Sequence, residues 1–259
     1  MRSQKTFIIL FLVIIVSCTK QPDTKELIKR TIESIDNINS INYKQTLFRG
    51  NSMDESSVLM REREFYYSRL KTDSIIGAKG HIYFFDSSYI FHEDIYDGDR
   101  LIRKHNIDSS AKVYDLIKYP ALRNKPFWGK TTPYVIQYML EYSLKNKEHY
   151  EFELGNDTLI NEKECYHLKT ILKKKALMPG FYEFTIDTNR VETMNLFVDK
   201  LNFYPQTMRF EIYGLDNPES VYFSDHRFYD IQINPELNDS LFVTSRDIIK
   251  GFKINEIQP

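Results

Sequence analysis

The chain has 259 residues with 35 basic and 36 acidic side chains, and its formal net charge of −1 excludes the strongly basic surface that nucleic-acid binding needs. At 42 % hydrophobic residues it is long and apolar enough to bury a sizeable core, and one large domain of all-β type falls within this length. Tyr and Phe stand at 18 each against nine Gly and nine Pro, a balance that favours pleated, half-buried surfaces.

At the start of the chain, Arg2 and Lys5 precede an unbroken apolar run from Phe7 to Val16, which stops at Ser17 and Cys18. A spanning helix needs about 20 apolar residues. A charged start, a shorter apolar run and a small residue at the cut describe a secretory signal. Ile15-Val16-Ser17-Cys18 resembles the bacterial lipobox, in which the cysteine thiol receives a diacylglycerol and cleavage leaves that cysteine as residue one. The resemblance implies three acyl chains, such as palmitate, on Cys18. Each buried methylene contributes about 0.8 kcal/mol, so the chain should stay on the membrane. The expected organisation is a lipoprotein signal peptide over 1–17, a lipidated tether over 18–22 and a single domain over 23–259, with a mature charge of about −3. The place this implies is the cell envelope, at the outer membrane facing the periplasm.

Asp23 followed by Glu26 is a capping arrangement for a helix start. Leu27, Thr31, Ile35 and Ile38 then recur at near-helical spacing, which predicts an amphipathic helix to about Asn37. From Ile41 the period changes to two. NYKQTLF, REREFYYSRLK, HIYFFDSS, YIFHEDIYDG, RLIRKHN and AKVYDLIKY follow as strand candidates, with breaks over 51–57, 72–80 and 97–99. The Asp97-Gly98 pair is a tight-turn signal, and short turns make neighbouring strands antiparallel.

Between Pro120 and Pro133 the pattern breaks, and this region carries the only tryptophan, Trp128. Thr132 before Pro133 opens a predicted helix to Lys145, apolar nearly all round except at Gln137 and Glu141. Such a helix is expected to be buried on most sides. Strand patterns resume in HYEFELG, ECYHLKTILK, FYEFTIDT, TMNLFVDK, YPQTMRFEIYG and SVYFSDHRFYDIQIN. Met194, Leu196 and Val198, like Met208, Phe210 and Ile212, alternate with polar neighbours, as in a sheet covered on one face. The expected fold is mainly β (α+β), a large curved antiparallel sheet or incomplete barrel of about 10–12 strands with helices in its concave face.

No spacing assembles a familiar reaction centre. The six histidines fall in different predicted strands without zinc-ligand spacing, and Gly77 to Gly80 reads as a turn. No GxSxG elbow is present, and the alternating carboxylates read as a solvated face. Cys165 reads as a buried structural thiol. The chain is therefore expected to be a binder and not an enzyme, with no cofactor and no metal. The aromatic excess carries functional content, because ligand pockets are concave and lined by apolar and aromatic groups. Trp128, Tyr134, Tyr138, Met139 and Tyr142 are read either as a pocket or as plain core. Met194, Leu196, Val198, Met208, Phe210 and Ile212 are the candidate walls.

The C-terminal run from Phe228 to Phe242, with Ile233-Asn234-Pro235 inside it and Lys250-Gly251-Phe252 beyond, resembles the close of the LolA/LolB lipoprotein-carrier superfamily. The N-terminal helix running into INYKQTLF is similar to that family's opening. The resemblance implies an incomplete barrel of about eleven strands around helices, with an apolar cavity that takes acyl chains. The pattern is also similar to domains found ahead of thioredoxin-like modules in TlpA-type proteins of Bacteroidetes, although no CxxC occurs here. The function so implied is a membrane-anchored envelope lipoprotein holding a lipid or the acyl chains of another lipoprotein. The alternatives are a non-catalytic interaction scaffold on the same fold and, third, a hydrolase.

Overall fold

The computed structural model describes residues 21–73, 77–120, 122, 133–173, 175–178, 182–185 and 188–258. The expected signal peptide, Cys18 and Trp128 lie outside these residues.

Two helices form where the sequence places them. The first, α1, spans Thr24–Asp36, and the Asp23 carboxylate accepts the Glu26 N–H at 2.8 Å, satisfying one of the free donors at the helix start. Its stripe of Leu27, Ile28, Thr31 and Ile35 is buried. The second, α2, spans Pro133–Lys145 and buries Val135, Ile136, Met139 and Leu140. The expectation that α2 is buried on most sides needs correction. Tyr138 is 42 % exposed, and Gln137 points to polar partners, Asp36 of α1 at 2.9 Å and Glu141 at 3.0 Å. Tyrosine counts as apolar in a periodicity, yet its phenol lets a ring rest on a surface with its tip in water.

Fifteen strands are described: β1 (Ser40–Asn51), β2 (Asp54–Arg69), β3 (Ala78–Asp86), β4 (Tyr89–Tyr96), β5 (Arg100–His105), β6 (Ser110–Asp115), β7 (Tyr150–Leu154), β8 (Thr158–Ile160), β9 (Lys163–Leu172), β10 (Lys175–Met178), β11 (Tyr182–Thr185), β12 (Arg190–Asp199), β13 (Pro205–Gly214), β14 (Tyr222–Ile233) and β15 (Lys253–Ile257). Thirteen form one open sheet in the order β15-β6-β5-β4-β3-β2-β1-β14-β13-β12-β9-β7, with β8 paired beside β9. The expected class, a large curved antiparallel sheet with few helices, is the one found. Three local differences have physical causes. The predicted break over 51–57 shrinks to a tight hairpin, because Asn51 pairs with Asp54 and the polar Ser56 and Ser57 sit in an exposed strand. FYEFTIDT contributes to a separate hairpin, β10 with β11, outside the main sheet. The last strand, β15, pairs parallel with β6, the one parallel pair among the described strands, because a long return segment carries the chain to the far edge.

Alternation along β1 and β2 puts Tyr43 opposite Phe65 and Ile41 opposite Tyr67 on the face that meets the helices. Tyr43 stacks on Phe65 with ring centroids 4.7 Å apart, and Phe228 of β14 meets Tyr43 edge-on at 5.5 Å. These rings join Leu27, Ile28 and Ile35 of α1, Ile136, Met139 and Leu140 of α2, and Leu168, Met194, Leu196, Val198 and Met208 in one core.

On the opposite face, the segment after Asn234-Pro235 crosses the sheet. The Leu241 carbonyl accepts from His81 Nδ1 at 2.9 Å, Thr244 Oγ1 donates to Asp97, and Ile249 packs on Ile102 and Ala111. Glu93 lies beside His81. Burial raises its pKa, but hydrogen bonds from His81, Lys104 and Asn106 outweigh that and bring it down to about 2. Asn234, at φ 55, ties the crossing to the front of the fold: its side-chain oxygen accepts the Asn39 N–H at 2.7 Å and the Ser40 N–H at 3.3 Å. Asn tolerates this left-handed backbone better than most residues. Asn234→Ala is therefore expected to cost about 2 kcal/mol in urea unfolding, since it strips two backbone donors of their acceptor. A change within about 0.5 kcal/mol, as at ordinary surface positions, would show that the residue ties nothing.

Candidate functional site

The register of β14, β1, β2 and β3 builds the site, because side chains of one parity line up across the helix-facing side of the sheet. One row runs from Leu196 of β12 through Met208 of β13, His226 of β14 and Leu47 of β1 to Arg61 of β2. The next row toward the open end runs from Met194 through Phe210, Ser224 and Arg49 to Leu59. A third, on the helix side, places Phe228, Gln45, Arg63 and Phe84 abreast. The core chemistry thus changes along a single strand pair: Tyr67 and Phe65 belong to the packed core, and Arg63 and Arg61, two and four residues from Phe65, continue on the same face.

Arg63 is a half-buried guanidinium. It lies 5.1 Å from the centroid of the Phe84 ring, its buried Nε has no hydrogen-bond partner, and its pKa falls to about 10, chiefly through burial and then through the charges of Arg61 and Arg49. Among the described residues none of these three arginines is ion-paired. His226 sits beside them, 6 % exposed. Burial, with Arg63 and Arg49 adding to it, pushes its pKa down to about 3, so the ring is neutral at ordinary pH. Nε2 of His226 lies 3.0 Å from Ser224 Oγ, while its Nδ1 is buried without a partner. Further along the same face, Arg103 grips Asp94 with two bonds of 3.1 and 3.2 Å, and His92 contacts Asp94 at 2.8 Å. That acid is therefore already committed.

The apolar part of this face is only partly covered. Leu47 and Met194 are buried, Phe84, Phe210 and Ile212 are half-buried, and Leu59 is 43 % exposed. This leaves an apolar floor running from the core toward the open end, with the arginines set into it.

The residues singled out from sequence are distributed as follows. Met139, Met194, Leu196, Val198 and Met208 come together in the main core, with Phe210 packed against its margin and Ile212 half-buried beyond it. Tyr142 packs with Tyr150 and Leu172 in a smaller cluster. Tyr134 and Tyr138 border a separate depression of about 300 Å³ with Arg69, Lys71, Gly77, Gln137 and Glu141. Burial pushes the Tyr134 phenol up to about 12, against the opposing pull of Arg69. Cys165 is inaccessible, and burial pushes its thiol up to about 11, as suits a structural residue. Among the described residues no group of His, Cys, Asp and Glu is placed to hold a metal ion. The reading from sequence missed Arg49, Arg61, Arg63 and His226. A signal existed in REREFYY, where Arg61 and Arg63 share parity with Phe65 and Tyr67.

No family model matches the chain, and no curated protein matches it. Solved structures do. The chain is similar to MucB in the Pseudomonas aeruginosa MucA/MucB complex, at 10 % identity and TM-score 0.46 over 87 % of this chain and 62 % of that one. It is similar to the lipoprotein LppX of Mycobacterium tuberculosis, at 9 % identity and TM-score 0.44 over 84 % of this chain and 98 % of that one. It is also similar to a LolA superfamily protein of Nitrosomonas europaea, at 10 % identity and TM-score 0.37 over 86 % and 99 %. These are likenesses in the run of the sheet, too slight to carry the activity of any of them over to this chain.

Proposed function

We propose that this chain is a lipid-anchored protein of the bacterial cell envelope that holds an acyl-chain ligand on the concave face of its sheet, as a binder and not as an enzyme. The observation that carries the reading is the apolar floor of Leu59, Phe84, Phe210 and Ile212, which continues beyond the area covered by the helices. Such a floor gives an acyl chain a dry surface without a bilayer, and the hydrophobic effect supplies about 25 cal/mol for each Å² covered. The anchor rests on Arg2, Lys5, the apolar run and Cys18. Among the described residues no helix is long and apolar enough to cross a membrane.

One pair of measurements tests both halves. Expressed with its own signal in a Gram-negative host, the wild-type chain is expected in the membrane fraction with the mass of a triacylated protein, and Cys18→Ala as an unacylated precursor. The Cys18→Ala protein is further expected to take up a fluorescent fatty acid saturably, and Phe210→Glu to weaken that uptake at least about ten-fold by placing a carboxylate on the floor. Unchanged mass on Cys18→Ala would rule out the anchor. Absence of saturable uptake, with the fold intact by circular dichroism, would rule out the acyl site and leave the same sheet as a scaffold for a protein partner.

A further inference from the structure

We propose that the ligand of this face is an amphiphile with an anionic phosphate head group, held by Arg63 together with Arg61, Arg49 and the unpartnered nitrogen of His226. The inference rests on the acyl-binding reading above and adds the head group to it.

A guanidinium taken partly out of water needs a counter-charge or hydrogen-bond acceptors, and here the fold supplies neither. Asp94, an acid on this face, is already bound by Arg103 and His92. Arg61 and Arg49 add like charge close by, and both stand exposed at the open end, where a ligand can reach them. Among the described residues the acids that the register places on this face, Asp94 and Glu192, are paired with Arg103, His92 and Arg190, so the charge that neutralises Arg63, Arg61 and Arg49 is left to come from outside. Guanidinium forks match phosphate and carboxylate oxygens in pairs. A phosphate monoester carries about −1.5 to −2 charges near neutral pH, so it offsets more than one of these cations, whereas a carboxylate offsets only one.

His226 is the independent observation. Its ring is nearly closed off from water, and Nδ1 has no partner. In the tautomer in which the Ser224 hydroxyl donates to Nε2, the ring proton sits on Nδ1 and is a buried donor lacking an acceptor. A phosphate oxygen among Arg63 and Arg49 is the acceptor it lacks. The neighbours then divide by chemistry: the cations and His226 take the head group, and Leu59, Phe84 and Phe210 take the start of the chain.

The test titrates the Cys18→Ala chain, by calorimetry at fixed salt, with three probes: decanoyl glycerol phosphate, the neutral monodecanoylglycerol of the same chain length, and inorganic phosphate. The expected order is decanoyl glycerol phosphate at least about ten-fold tighter than either other probe. Arg63→Gln should bring the phosphate lipid down to the affinity of the neutral one. Should Arg63→Gln fail to fold, the exposed Arg61→Gln decides, with an expected several-fold loss for the phosphate lipid. Equal binding of the two lipids would overturn the head-group assignment and leave the acyl site standing. Phosphate alone binding as tightly as the phosphate lipid would identify a free-phosphate site and overturn the amphiphile. If neither lipid binds, the acyl-binding reading and this inference both fall.

Discussion

Met139→Asp is expected to remove about 4 kcal/mol of stability, which leaves a domain at the low end of ordinary stability only marginally folded. Met139 is 7 % exposed on the buried face of α2 and belongs to the core that also holds Ile136, Leu140, Leu196 and Met208. A carboxylate there loses its water and meets only apolar atoms, so the chain must either protonate it or open to hydrate it. Tyr138→Glu, one residue away, is the matched control. Tyr138 is 42 % exposed, and its replacement should cost less than about 1 kcal/mol. Urea unfolding followed by circular dichroism measures both. A loss below about 0.5 kcal/mol for Met139→Asp would place α2 outside the core. Equal losses at the two positions would mean that both sides of the helix are buried, as its apolar pattern alone suggests.

The second large effect is loss of stability in mild acid through His226. In the unfolded chain its imidazole titrates near its ordinary value of about 6.5, whereas in the folded protein burial, with Arg63 and Arg49, holds the pKa down to about 3. As pH falls through that window the unfolded state takes up a proton that the folded state does not, so folding weakens by up to about 1.4 kcal/mol per pH unit. Stability is therefore undiminished above about pH 6.5, with roughly 3 kcal/mol lost by pH 4. His105 shifts in the same direction, through burial and the neighbouring His92, and adds to the slope. Glu93, lowered to about 2, contributes stability that is lost only as pH falls below its unfolded value of 4.5. In the interval from about pH 6.5 to 4.5 the histidines set the loss while Glu192, whose carboxyl is raised by burial, works against it, and His226→Gln isolates the share of His226. The variant should show a visibly flatter dependence of its unfolding free energy on pH. The same slope in His226→Gln and wild type would mean that His226 is not the group being held neutral.

Much of the fold was legible because it is written locally. Asp23 and Pro133 mark helix starts through short-range chemistry, a side-chain acceptor for free N–H groups and a preset φ, and both helices begin where these residues predict. The change to a period of two at Ile41 needed no tertiary information, and it yielded the strand-rich class and the hairpin partners of β1 through β5. The candidate site was less legible. Arg61 and Arg63 alternate with Glu62 and Glu64, and that pattern looks the same whichever set faces the helices.

By itself, then, the sequence determined the elements, their order and which residues share a side of each strand. These follow from backbone geometry and the covalent alternation of side chains, which do not depend on distant contacts. The tertiary structure decided the rest. It zips β14 onto β1 so that Ile41 meets Ile233, moves β10 and β11 out of the main sheet, and carries β15 around to lie parallel with β6. Above all it decided that Arg61, Arg63 and Arg49 stand on the helix-facing side of the sheet with His226. Which side of a strand is covered depends on what packs there, and neighbours across a sheet depend on the register between segments nearly two hundred residues apart, as for Ile41 and Ile233.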